Sequence, residues 1–529
     1  MSGAGSQPSE ATQPIGSRAG DPVVRTVAGA VRGSREGGVA VFRGIPFAEA
    51  PVGALRFGAP RAVRGWDGVR EAVAFGAPPP QAGVFGRDPA SPAGAGDDWL
   101  TVNVWSADPG AGAGLPVMVW IQGGGYVFGM SGMPEYDGGR LAREGGVVVV
   151  TFNYRLGIEG FARIEGAPAN RGLLDQIAAL EWVRDNIRGF GGDPDRVTVF
   201  GESAGGGSIA ALLAMRRVDG RAQGRTPTNG LFHRAVAQSV PGAFFSPELA
   251  ADIATVCAAE LGLRPTAADL SGVDPARLSA AGDAVTAKLA QWAERWGRPA
   301  HRSIPFAPVV DGDVLPATPW QALADGAARD IELLVGHTRD EHRLFSALDG
   351  TLGQVTEEQA SAALRIFAPG PDGARRYREA FPAAGPYELY ELVHSDWLFR
   401  MPSLHLAQAQ ADAGGRVHVF ELTWSAPGMG GILGACHGLD VPLVFGNLHD
   451  GQTAALIGDD PDAEPVSACV RGAWTAFATH GDPGWPAYDT ARRLTQLFDT
   501  RPAVAAYPEE TSRLLWQDHV FPALPLAGG

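Results

Sequence analysis

Hydrophobic positions along the chain switch between two periods, and the switching predicts strands that alternate with helices. Residues 115–121 (LPVMVWI) and 147–155 (VVVVTFNYR) are nearly unbroken apolar runs, as expected of strands buried on both faces. Residues 197–201 (VTVFG) share that character. Between the last two runs, GLLDQIAALEWVRDNIRGF places Leu173, Leu174, Ile177, Leu180, Val183 and Ile187 at steps of three and four. That spacing predicts an amphipathic helix crossing between parallel strands. LTVNVWSA (100–107), IELLVG (331–336) and RVHVFELTW (416–424) predict further strands, and SPELAADIATVCAAELG (246–262) predicts a helix. Near the start, residues 23–48 alternate apolar and polar positions around glycine turns, which suits short antiparallel strands. Residues 82–98 read as an irregular surface loop. The expectation is an α/β fold with a mostly parallel central sheet covered by helices on both faces. Helical inserts at about 240–300 and 355–412 would supply lid or pocket material, and no internal repeat is present.

One stretch concentrates chemistry. In VTVFGESAGGGSIA the β-branched and aromatic residues 197–200 run into a Gly-Glu-Ser-Ala-Gly corner, and SIAALLAM (208–215) then favours a helix. This fits G-x-S-x-G in its strand-to-helix context, which predicts a strained corner at Ser203 with its hydroxyl directed to solvent. Glycines at 201 and 205 would let strand and helix pack closely. A serine hydroxyl is a weak nucleophile, so a base and an orienting acid are required, and both should come later in the chain. After IELLVG, the loop HTRDEHRLF offers Glu341, with Asp340 as a competitor that spacing alone does not separate. Asp311 and Asp313 suit a turn.

For the base, His437 lies between the glycine-rich run APGMGGILGAC and the apolar VPLVF, on a loop delivered to the core edge. His449, His480 and His519 are also loop candidates, whereas His418 lies within a strand and His405 within a helical stretch. Cys436 diverges from its neighbour His437 on an extended backbone and reads as structural. The run QGGGYVFG after LPVMVWI exposes backbone N–H groups. Those of Gly124 and Gly125, with that of Ala204, would form an oxyanion hole. As a dinucleotide fingerprint the same run lacks the acidic ribose partner about twenty residues on.

Composition narrows the classes. The 529 residues are 45% hydrophobic and 19% charged, ordinary for a globular protein, and no run of apolar residues is long enough to span a bilayer. A formal net charge of −15 without a basic stripe disfavours nucleic acid as a partner. The single lysine, Lys288, rules out a P-loop. Three cysteines (Cys257, Cys436, Cys469) are too few for a disulfide framework, and no CxxC or HExxH spacing points to a metal. Residues 1–22 are polar and rich in Gly, Ser and Pro, which reads as a disordered tail on a cytoplasmic protein. Length alone leaves open how many domains residues 23–529 form.

Taken in order, VFRGIPFAEAPVGALRF, LTVNVWS, NYRLGIEGF, NRGLLDQIAALEWVRDNIRGFGGDPDRVTVFGESAGG, GHTRDE, HGLDVPLVFGN and THGDPGWPAYD resemble the type-B carboxylesterase family of α/β-hydrolases. That family also contains cholinesterases and neuroligins, and the resemblance covers the chain beyond its tail. It implies an α/β-hydrolase fold, Ser203 as nucleophile, Glu341 as acid, His437 as base, and Gly124, Gly125 and Ala204 as the oxyanion hole. It implies a small-molecule ester substrate, an acyl-enzyme and no cofactor or metal, and leaves the oligomeric state open. The chain departs from the family in having Gln122 where many members have His, and His342 where glycine is common. Pro79 and Trp99 stand where the family's early disulfide has cysteines, in keeping with a reducing compartment. Two other readings belong beside hydrolysis: acyl transfer or lactone or carbamate opening in a specialised pathway, and a non-catalytic, neuroligin-like binding protein. A cholinesterase is disfavoured because Phe85 is the one aromatic in the 82–98 loop.

Overall fold

The computed structural model describes residues 20–81, 96–215, 228–451 and 454–527. Residues 1–19 of the expected tail and 82–95 of the expected loop lie outside the described residues. The first strands are β1 (Val23–Arg25), β2 (Ala30–Arg32), β3 (Ser34–Glu36), β4 (Val39–Pro46) and β5 (Val69–Glu71). They are followed by β6 (Thr101–Ser106), β7 (Leu115–Ile121), β8 (Val148–Phe152), β9 (Gly192–Glu202) and β10 (Arg234–Gln238). The last are β11 (Glu332–Thr338), β12 (Val417–Leu422), β13 (Leu494–Phe498) and β14 (Ala503–Ala506).

Eleven strands form one sheet in the order β14-β13-β12-β11-β10-β9-β7-β8-β6-β4-β3. Pairing is parallel from β8 through β7, β9, β10, β11 and β12 to β13, and antiparallel at both margins. A separate sheet joins β1, β2 and β5. The central strands are buried along nearly their whole length because helices cover both faces. This is the mostly parallel, helix-covered sheet expected from the alternation of patterns, and it has the α/β-hydrolase architecture that the family resemblance implies.

The predicted crossing helix runs from Arg171 to Asn186 and tightens into a 3₁₀ turn at Ile187–Phe190. The helix at Pro247–Ala259 starts where Ser246 accepts a hydrogen bond from the amide of Leu249. Two expectations need adjustment. Strand β9 begins at Gly192, before the apolar run, because the register between β7 and β9 shifts and accommodates Asp193, Pro194 and Asp195 as an irregularity. Strand β8 stops at Phe152, since the amide of Asn153 turns to the carbonyl of Thr101 and Arg155 is drawn into a buried bidentate pair with Asp175.

The chain order places a topological switch between β7 and β9, because β8 lies on one side of β7 and β9 on the other. The loops leaving the C-terminal ends of these two strands therefore face each other across a crevice. One is the 122–129 glycine run and the other is the corner at Ser203. Their approach depends on missing side chains. A Cβ at Gly201 would sit 2.5 Å from the Ile121 carbonyl oxygen, and one at Gly205 would collide with the same atom.

Alanine is the better helix former by about 1 kcal/mol, yet overpacking here costs about 1–3 kcal/mol, so the collision decides the sign. Gly205→Ala is expected to lower the thermal unfolding midpoint. A midpoint at or above that of the unaltered protein would show that the strand and helix have room to spare.

Candidate active site

Ser203 ends the extended run of β9 and precedes the helix Ala204–Ala214, with φ 57° and ψ −123°. For a residue with a Cβ this backbone region is sparsely populated and costs of order 1–3 kcal/mol. Neighbouring hydrogen bonds hold it there: the Ser203 amide donates to the Gln238 carbonyl at 3.0 Å, and its own carbonyl accepts from Gly207 at 2.8 Å. The side chain is half-buried rather than projecting into open solvent, because insert helices wall the crevice.

The three residues singled out as nucleophile, base and acid come together. His437 Nε2 lies 2.9 Å from Ser203 Oγ, and His437 Nδ1 lies 2.5 Å from Glu341 Oε2. Glu341 is fully buried, and its other oxygen accepts from Ser239 Oγ at 2.6 Å and from the Thr338 amide at 2.9 Å. Burial opposes its ionised form, but His437 and these hydrogen bonds outweigh it and keep its carboxyl below the usual range.

The ambiguity between adjacent acids resolves into two tasks. Asp340 points away from the imidazole: its Oδ2 accepts from the Ala435 amide at 2.8 Å and its Oδ1 pairs with Arg343 at 3.0 Å. The Asp340 amide in turn donates to the Ala435 carbonyl, so this residue clamps the loop that carries His437. Cys436 is buried in that loop, and burial pushes its thiol up to about 12, which fits the structural reading.

The other histidines weighed as the base lie elsewhere. His418 is buried between Phe477 and Trp485, His405 and His519 pack on Phe521, and His449 and His480 are exposed.

Gly124 and Gly125 adopt φ of 103° and 60°. Among the described residues, their amides and that of Ala204 donate no hydrogen bond within the protein. Gly123 completes the approach, since a Cβ there would lie 3.3 Å from Ser203 Cβ. Gln122 is fully buried and neither side-chain polar atom has a partner among the described residues, while its carbonyl accepts from Tyr154 Oη at 2.8 Å. No group of three or more His, Cys, Asp or Glu among the described residues is arranged to hold a metal.

Several neighbours were not singled out from the sequence. Glu202, buried, places Oε1 3.1 Å from His437 Nε2, and burial, with Asp440 and Glu341 adding to it, pushes its carboxyl up to about 8. Asp440, held by Gln238 Nε2 at 2.7 Å, is raised to about 6 by burial. Burial opposes charge on His437 too, but Glu202, Glu341 and Asp440 outweigh it and raise the imidazole to about 9. On the open side, Phe399 stacks on the His437 ring at 4.2 Å and Phe345 lies 5.2 Å from it. Glu202 was in view within the GESAG motif. Ser239, Asp440 and Phe399 become neighbours only through folding.

Comparison with known proteins agrees with this picture. The model of the carboxylesterase family matches residues 20–510. The para-nitrobenzyl esterase of Bacillus subtilis (strain 168) is 36% identical over 502 residues, covering 93% of this chain and 97% of that protein. The fumonisin B1 esterase of Sphingopyxis macrogoltabida is 35% identical, covering 90% and 86%. A crystal structure of a Geobacillus stearothermophilus carboxylesterase superposes with a TM-score of 0.80 at 36% identity, covering 94% of this chain and all of that one. With the fold, the elbow serine and these relatives on the page, the chain belongs to the carboxylesterase family and is a serine carboxylic-ester hydrolase.

Proposed function

We propose that this esterase works through Ser203, His437 and Glu341, with the amides of Gly124, Gly125 and Ala204 as its oxyanion hole. The observation that carries the reading is the continuous hydrogen-bonded chain from Ser203 Oγ through both imidazole nitrogens to Glu341. His437 Nε2 takes the serine proton as Oγ attacks the ester carbonyl. The oxygen of the tetrahedral intermediate turns to the free amides. As the intermediate collapses, His437 gives its proton to the leaving alcohol and an acyl-Ser203 remains. A water activated by the same imidazole then releases the acid and restores the serine. Glu341 holds the Nδ1–H tautomer and stabilises the imidazolium that forms in each half-reaction.

Glu202 tunes that base. Its charge raises His437 together with those of Glu341 and Asp440, while burial raises Glu202 in turn.

Residues 23–529 are proposed to act as one domain, supported by a sheet that draws strands from Ser34 to Ala506. A cytoplasmic location belongs to the same proposal, supported by three free thiols, one of them exposed at Cys469. No helix among the described residues is long and apolar enough to cross a membrane.

The proposal has three tests. A fluorophosphonate probe should label the protein, and Ser203→Ala should abolish labelling and lower p-nitrophenyl acetate turnover by at least about 10⁴-fold. Persistent labelling would move the nucleophile elsewhere. Glu341→Gln should lower kcat on the order of 10⁴-fold by loss of the tautomer lock. Asp340→Ala should cost far less in kcat and show itself mainly as a lower unfolding midpoint, and the reverse order would exchange the two roles. In Glu202→Gln the carboxylate that raises His437 is gone, so the acid limb of kcat/KM should move to lower pH. An unmoved limb would separate Glu202 from the base.

A further inference from the structure

His342 has no part in the chemistry above, and its surroundings form a polar cluster beside the reaction centre. It directly follows Glu341, is 1% exposed, and stacks on the His394 ring at 4.4 Å. Its Nδ1 is 3.1 Å from Ser346 Oγ, while its Nε2 has no hydrogen-bond partner among the described residues. Burial, with the Arg302 charge nearby, holds this imidazole well below its usual range, so it is neutral.

Arg302 is the second member of the cluster. Its side chain is 7% exposed, and Nε has no partner among the described residues. The nearest carboxylate, Asp349 Oδ2, is 3.7 Å away, beyond hydrogen-bonding distance, on a side chain that is 54% exposed and so screened by water. Tyr390 lies on another side and hydrogen-bonds the guanidinium. A guanidinium carries five N–H donors in a planar fork, and leaving the Nε–H unmatched in a nearly dry site is costly. The fork geometry matches a carboxylate, which it can bind through two parallel hydrogen bonds.

Phe345 links this cluster to the reaction centre. Arg302 Cζ lies 5.8 Å from the centre of its ring, the His342 ring 5.7 Å and the His437 ring 5.2 Å. The Phe345 side chain is only partly buried, so it presents a surface between the imidazole and the guanidinium.

Resting on the proposed roles of Ser203 and His437, we infer that Arg302 and His342 form a carboxylate-recognition subsite that directs this esterase to esters carrying a second, anionic group. Such a substrate would lie along Phe345 with its carboxylate on the Arg302 fork and His342 Nε2–H, and its ester carbonyl at Ser203.

The test uses two matched pairs of esters. p-Nitrophenyl hydrogen glutarate against p-nitrophenyl valerate places the charge on the acyl side. 4-Carboxyphenyl butyrate against 4-carbamoylphenyl butyrate places it on the alcohol side. In one pair, the anionic-to-neutral ratio of kcat/KM should fall about tenfold or more in Arg302→Gln, mainly through KM, with partial recovery in Arg302→Lys. The responding pair identifies the side of the ester. Should Arg302→Gln fail to fold, product inhibition of the unaltered enzyme gives the same answer. Glutarate should bind about tenfold tighter than valerate, or 4-hydroxybenzoate than 4-hydroxybenzamide. Turnover of the neutral esters with no change of ratio in either pair, or with equal inhibition within both product pairs, would overturn the subsite and leave the esterase assignment standing. Failure to hydrolyse any of the four esters would overturn both.

Discussion

The site depends on one strained turn. Ser203 is held at a positive φ where the last sheet hydrogen bonds of β9 meet the first turn of a helix, and the glycines around it let the Ile121 and Gln238 carbonyls come too close for any Cβ. The strain is local, whereas the packing that enforces it is drawn from β7, β9 and β10 together. A side chain held in this way loses little further entropy on reaction. The same geometry opens the Ala204 amide toward the glycine loop after β7, so the proposed nucleophile and anion-binding amides are set by a single packing solution.

Around that turn, charge is concentrated rather than dispersed. Three buried carboxylates, Glu202, Glu341 and Asp440, surround the His437 imidazole. They cannot all ionise cheaply in a dry site. Their hydrogen bonds separate them: Glu341 is stabilised as the anion by Ser239, the Thr338 amide and His437, whereas burial leaves Glu202 and Asp440 raised. Division of labour also runs through the adjacent acids, since the turn after β11 sends Asp340 to the loop and Glu341 to the ring. One of them holds the proposed base in place and the other is proposed to polarise it.

The walls come from the inserts. The helical run Pro386–Asp412 contains a wide π-type turn at Asp396–Arg400, and this turn sets Phe399 against His437. Arg302 arrives from the other insert, at the end of the short helix Arg298–His301. The core sheet is thus the scaffold, while the residues proposed to meet a substrate's distal groups are contributed by segments far apart in the chain.

Much of this was legible before folding. Apolar runs and helical spacing indicated the parallel sheet, since burial on two faces demands them, and the Gly-Glu-Ser-Ala-Gly corner marked Ser203 because few residues tolerate such a turn. The glycine run after β7 likewise marked backbone amides that no side chain would cover. What the linear order could not decide was direction and proximity: which of Asp340 and Glu341 faces the imidazole, that Glu202 and Asp440 crowd it, that Gln122 lies buried with its amide unmatched, and that Arg302 and His342 share a wall. Local pattern reports what one segment needs to bury. Only the tertiary packing sets which distant side chains share the same dry volume, and in such a volume a few ångströms decide the charge each group carries.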